Sequence, residues 1–208
     1  MKYIFINPVV ANMYIKEELD RVLYKNGYIR VEVKNDWHKI VKEKYNKELK
    51  GVDRTFLDKR CPLAIETIHK YVNKEDVFIP KIDPILIHCG IEIANREELR
   101  GKKKIITTPC ESLAIYGNEK NLEDTIFISW KEFISNLADH ENLKVKQLNE
   151  SPIPLGYFKS LEVKISSISG KENIENYFKN KLHMESDLVE MLYCPNGCNN
   201  GDGVLINE

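Results

Sequence analysis

The segment of this chain best suited to chemistry is Cys194-Pro195-Asn196-Gly197-Cys198, continuing Asn199-Asn200-Gly201-Asp202-Gly203. Two thiols in a C-x3-C spacing can bind neighbouring corners of one cluster or a single soft metal ion. Gly197 between them lets the backbone turn tightly around an inorganic core. The asparagines and glycines that follow can direct N–H groups at sulfide and thiolate, which stabilises negative charge and tunes a redox potential. A cubane iron–sulfur cluster usually takes four thiolates. Cys61 and Cys110 are the natural others, because each adjoins a proline, Pro62 and Pro109, and so stands at a stiff boundary position. The fifth cysteine, Cys89, lies inside an apolar run, where a free thiol packs as a small hydrophobe. The pair alone also suits zinc or redox-active thiols, although zinc sites more often show two close pairs. His38, His69, His140 and His183 are scattered without metal-ligand spacing, and His88 reads as a surface or structural residue.

The elements that must position these thiols alternate along the chain. Residues 3–10 predict a buried strand ended at Pro8, and residues 13–26 a helix with Leu19, Val22 and Leu23 on one face. Asn12 is the expected N-cap and Gly27 the C-terminal glycine of that helix. Residues 28–33 alternate as a strand, and Asp36 is placed to cap a helix carrying Trp37, Ile40 and Val41. Cys61-Pro62 opens a further helix, since proline suits the first helical turn. The run 85–95 fits helix better than strand, and Lys104–Thr107 predicts a strand that delivers Cys110 at its carboxyl end. Thr125–Ile128 predicts a strand, followed by a capping box at Ser129 to Glu132 and a helix to about Leu137. Residues 139–160 read as loop with some strand. Val163–Ile168 alternates, and Ser169 to Glu172 reads as a second capping box before a helix with Ile174, Tyr177, Phe178 and Leu182 on one face. Residues 187–193 predict a last strand running into Cys194. The expectation is α/β architecture with mostly parallel sheets. Ligands of such sheets collect outside the carboxyl ends of the strands, where Cys110 and Cys194 fall.

The chain has 208 residues, 42% of them apolar and 30% charged, which suits one globular domain or two closely packed lobes. Its net charge of −1 gives no reason to expect nucleic acid or acidic lipid as a partner. No stretch has the length of a membrane-spanning helix, and the N-terminus lacks the pattern of a signal peptide, so a cytoplasmic location is expected. In that reducing compartment five cysteines are not expected to form a disulfide framework.

The pattern resembles the catalytic domain of the iron-only, or [FeFe], hydrogenases and their non-hydrogenase relatives. Asp58-Lys59-Arg60-Cys61-Pro62 is similar to the first family loop, roughly T-S-C-C-P. Thr108-Pro109-Cys110-Glu111-Ser112-Leu113 is similar to the second, roughly M-P-C-x-x-K. Leu188 to Gly203 is similar to the third, roughly F-x-E-V-M-A-C-x-G-G-C-x-x-G-G-G. Weaker likeness at Asn7-Pro8-Val9-Val10, Asp83-Pro84 and Thr125 to Leu137 extends it over nearly the entire chain, which is much shorter than the family between Cys110 and Cys194.

The resemblance implies one hydrogenase-like two-lobed α/β domain over 1–208, with a cluster site at the loops between lobes. It implies a [4Fe–4S] cluster on Cys61, Cys110, Cys194 and Cys198. Where the family has its proton-relay cysteine stands Arg60, where it has the lysine that holds cyanide stands Leu113, and Leu192 and Ile79 replace a methionine and a serine. Leucine cannot supply a lysine's charge-assisted hydrogen bond, so the cube is expected without the two-iron subcluster. The leading expectation is an iron–sulfur protein that carries electrons or senses redox state with a partner protein. The alternatives are a minimal hydrogenase-like oxidoreductase, in which Arg60 would bind substrate, a cluster-assembly protein, and a structural zinc protein. The plain alternative for Arg60 is a surface charge or a contact to an anionic cluster.

Overall fold

Lys2–Phe5 forms the first strand, β1, with Ile4 and Phe5 buried. The computed structural model describes residues 1–146 and 148–198. The strand ends earlier than alternation suggests, because the Asn7 side chain accepts from the Val9 N–H and caps a short helix α1, Pro8–Ala11. Pro8 therefore starts a helix, and Asn12 closes it as C-cap instead of opening the next. That next helix, α2, spans Lys16–Lys25 and buries Leu19, Val22 and Leu23. Gly27 follows at φ +81°, the left-handed conformation that glycine takes at least cost. After β2, Tyr28–Arg30, Asp36 caps α3, Trp37–Leu49, by accepting from the Lys39 N–H at 3.0 Å.

Two short strands, β3 at Thr55–Leu57 and β4 at Val77–Phe78, flank α4, Pro62–Ile68, which opens at Cys61-Pro62 as expected. The ambiguous run forms a helix, α5, Ile85–Ala94. β5, Lys104–Thr108, leads into α6, Glu111–Asn118, a helix beyond the sequence reading. β6, Thr125–Ser129, ends in the expected cap: Ser129 Oγ accepts from the Glu132 N–H at 3.2 Å and starts α7, Trp130–Ser135.

β7, Ile165–Ser169, α8, Lys171–Lys179, and β8, Leu188–Leu192, complete the order. The second capping box is corrected. Ser169 stays in β7, its Oγ accepts from the Asn196 N–H at 3.1 Å, and Gly170 at φ +88° is the N-cap, without a side-chain bond. Leu182 is also corrected: it lies past α8 in a 3₁₀ turn and is exposed.

The chain divides into two compact units, each built on a four-stranded parallel sheet. The expected mostly parallel α/β class is therefore what the chain adopts. The first unit, from Met1–Asn35 and Leu86–Pro152, has strand order β2-β1-β5-β6. On one face Ile4, Ile6 and Ile105 pack with Leu19, Val22 and Leu23 of α2 and Trp130 and Phe133 of α7. On the other, α5 and α6 approach so closely that a Cβ added at Gly90 or Gly117 would lie 2.4 Å from the Phe127 ring. The outer strand β6 carries a further feature. Asn118 Nδ2 donates to the Phe127 carbonyl at 2.9 Å, and its Oδ1 accepts from the Phe127 N–H at 2.8 Å.

The second unit, from Asp36–Ile85 and Ile153–Cys198, has strand order β4-β3-β8-β7. Alternation in β3 and β8 sends Leu57 and Val189 to one face, against Ala64, Ile65 and Ile68 of α4 and Ile174 and Phe178 of α8. Phe56 and Leu188 go to the other face, against Val41, Tyr45 and Leu49 of α3 and Phe158.

Candidate thiol site

The register of β3 on β8, Phe56↔Leu188 and Leu57↔Val189, brings the turns after both strands to the same end of the second sheet. Cys61 stands in the first turn as the residue preceding α4, and Cys194 stands in the second, two residues beyond β8. Cys61 packs at the margin of the apolar cluster of α4 and α8. Burial raises its pKa, the Tyr193 and Ala64 N–H groups facing the sulfur oppose that rise, and Asp58 and Cys194 add to it. Cys61 and Tyr193, the residue that precedes Cys194, pack against the same apolar cluster. Backbone N–H groups directed at sulfur are also the groups that support a cluster-bound thiolate.

Between Cys194 and Cys198 the chain turns through Asn196 at φ +57° and Gly197 at φ +141°; the latter is open to glycine with little strain. Cys198 then pairs antiparallel with Ile153, its N–H donating to the Ile153 carbonyl at 2.9 Å. Asn199 to Gly203, whose N–H groups the sequence reading assigned to a cluster, lie outside the described residues.

Cys110 belongs to the first unit. It precedes α6 after β5, and its carbonyl accepts from Thr108 Oγ1 at 2.8 Å. Cys89 is the core residue expected, 5% exposed within α5, with its thiol pushed up to about 12 by burial and then by Glu92. No disulfide joins the five cysteines. Among the described residues no three His, Cys, Asp or Glu side chains come together closely enough to hold a metal ion. The donor chemistry at Cys61 and Cys194 fits a thiophilic group, whereas Cys61, Cys194 and Cys198, the three expected ligands of the second unit, are not gathered as a set.

Arg60 is the main feature that sequence reasoning misjudged. It is no surface charge, since its side chain is 10% exposed, and it lies between two carboxylates, Asp58 and Glu190, that are 0% exposed. Nε and Nη2 donate to Asp58 at 3.0 and 2.7 Å, and Nη2 also donates to Glu190 at 2.8 Å. Burial opposes the guanidinium charge, and the Asp58 and Glu190 carboxylates outweigh it and hold the group protonated. The ring centroids of Tyr157 and Phe158 lie 4.0 and 4.8 Å from Arg60 Cζ. Glu190 also accepts from the Gly156 and Tyr157 N–H groups at 2.7 and 2.9 Å and from Ser167 Oγ at 2.7 Å. Asp58 accepts from Tyr45 Oη at 3.4 Å, and that hydroxyl in turn accepts from the Lys59 N–H at 3.0 Å. The sequence carries the residue types of this network, an aspartate and an arginine two residues apart before Cys61 and a glutamate in the strand entering Cys194, but nothing in it pairs them.

No helix among the described residues is long and apolar enough to cross a membrane. No family model matches the chain, and no curated protein or solved structure matches it.

Proposed function

We propose that this chain is a cytoplasmic iron–sulfur protein whose [4Fe–4S] cluster is bound by Cys61, Cys110, Cys194 and Cys198, and which carries single electrons or senses redox state with a partner protein. The observation that carries the reading is the placement of Cys61 and Cys194 beyond the carboxyl ends of two adjacent parallel strands, β3 and β8. Soft thiolates at such a site suit iron and sulfide. The C-x3-C turn through Gly197 and the similarity of the three cysteine loops to the iron-only hydrogenase family support the remaining ligands. A substrate-binding role for Arg60 loses its support, because that guanidinium is already engaged by Asp58 and Glu190.

Metal analysis of protein purified without oxygen tests the reading. About four irons and four acid-labile sulfides per chain are expected. Serine replacement of Cys61, Cys110, Cys194 or Cys198 lowers the iron content, and Cys89→Ser does not. About one zinc per chain without sulfide overturns the cluster and leaves a zinc-stabilised thiol site. Excess iron over sulfide restores the hydrogenase-like alternative, and ready transfer of the cluster to an apo acceptor favours assembly over electron carriage.

A further inference from the structure

The turn carrying Cys61 leaves the sheet after the Asp58 N–H donates to the Val189 carbonyl at 2.9 Å, while β8 runs on to Leu192 before the turn carrying Cys194. Beyond that bond, Arg60 bridges them. It adjoins Cys61 in sequence, and its Nη2 reaches Asp58 in its own turn and Glu190 on β8, four residues before Cys194. Glu190 extends the bridge to a third segment through the Gly156 and Tyr157 N–H groups. The rings of Tyr157 and Phe158 of that segment then pack against the guanidinium.

A buried ion network of this kind is a costly way to stabilise a fold, since apolar side chains of similar volume usually serve as well or better. What it supplies is direction. A planar guanidinium satisfies two carboxylates only in a narrow set of arrangements, and each carboxylate here is fixed to a different strand or turn.

We propose that Arg60 is a positioning residue that fixes the Cys61 turn against the Cys194-bearing end of β8, so that both thiols are held at one site before any metal binds. The proposal rests on the thiol-site reading for the ligand, and on the Asp58–Arg60–Glu190 geometry for the rest.

The test is thiol alkylation of the full-length, reduced, metal-free protein with N-ethylmaleimide, followed cysteine by cysteine in mass spectrometry. Arg60→Lys keeps the charge that the buried carboxylates need but loses the fork. It is expected to raise the rates at Cys61 and Cys194 by about tenfold, as suits the loss of a charge-assisted hydrogen bond. Cys89, buried in the first unit, is expected to keep its rate and so reports on global opening. Glu190→Gln is expected to act in the same direction as Arg60→Lys. Unchanged rates at Cys61 and Cys194 in Arg60→Lys overturn the proposal. So does a parallel rise at Cys89, which would make Arg60 a contributor to overall stability alone. Because alkylation needs no metal, wild-type protein without iron refutes the cluster while leaving this result intact, and the reverse combination refutes the positioning role alone.

Discussion

The two units share one plan, a four-stranded parallel sheet covered by helices, and use its carboxyl ends differently. In the first unit the chain steps outward from β1 to β2 on one side and from β5 to β6 on the other. The connecting helices α2 and α6 accordingly lie on opposite faces. In the second unit the steps from β3 to β4 and from β7 to β8 run in the same direction, and α4 and α8 share one face. That leaves the other face of β3 and β8 to α3 and the segment around Phe158. The strand ends differ in kind as well. In the first unit the ends of β1, β5 and β6 are finished with neutral caps, Asn7 on α1, Thr108 on the Cys110 carbonyl and Ser129 on α7, and Arg30 at the end of β2 pairs with the exposed Glu32. Those of the second carry buried charge, in Asp58, Arg60 and Glu190, beside Cys61. A neutral finish satisfies a sheet end with single hydrogen bonds; a buried charged network demands exact partners from several segments at once.

The largest effect expected from breaking this contrast is at Glu190. Glu190→Ala removes the partner of Arg60 on β8 and leaves the Gly156 and Tyr157 N–H groups without their acceptor. Breaking a buried pair in this way costs roughly 3–5 kcal/mol. Denaturant unfolding measures the loss, and hydrogen exchange is expected to place it at β3 and β8 and spare β5 and β6.

In the first unit the sensitive point is packing. Gly117→Ala drives a methyl group against the root of the Phe127 ring, and overpacking of this kind costs about 1–3 kcal/mol. Gly90→Ala meets the far end of the same ring and is expected to cost less, so the two variants rank how far Phe127 can yield.

The smallest effect is a response to pH in the second unit. His183 is buried and stacked on Phe178, with centroids 4.8 Å apart. Burial lowers its pKa from 6.5, Lys181 lowers it further and Asp76 opposes them. Below about pH 6.5 the unfolded chain binds a proton that the folded chain does not, so stability falls as pH falls through that value. Urea unfolding on either side of pH 6.5 measures the change, and His183→Phe, which keeps the stack, is expected to reduce it, with the rest left to His38, whose pKa burial also lowers.

The contrast between the units also explains what the sequence could convey. Elements with local signals were legible: Asp36 before α3, Cys61-Pro62 before α4, Ser129 before α7 and the apolar run of α5. β3 and β4 were not, because three and two residues are too few to display alternation. α6 was obscured by its narrow apolar face, part of which is Gly117, chosen for the Phe127 ring across from it. Ser169 to Glu172 carried the letters of a capping box, but Ser169 is held in the β7 ladder by Leu192 and cannot turn its hydroxyl onto α8. The thiols were legible as residue types. The pairing of Arg60 with Glu190, 130 residues apart, depends on the β3–β8 register and has no local signal.

The Asn118 amide has a consequence for encounters between molecules. β6 is the outermost strand of its sheet, and a bare strand there offers its backbone to any other extended chain. At Phe127 both the donor and the acceptor are already taken by the two ends of one amide group. An incoming strand meets a margin whose central position reads as occupied, so a single side chain acts as a one-residue surrogate strand and guards the sheet against growing by accretion.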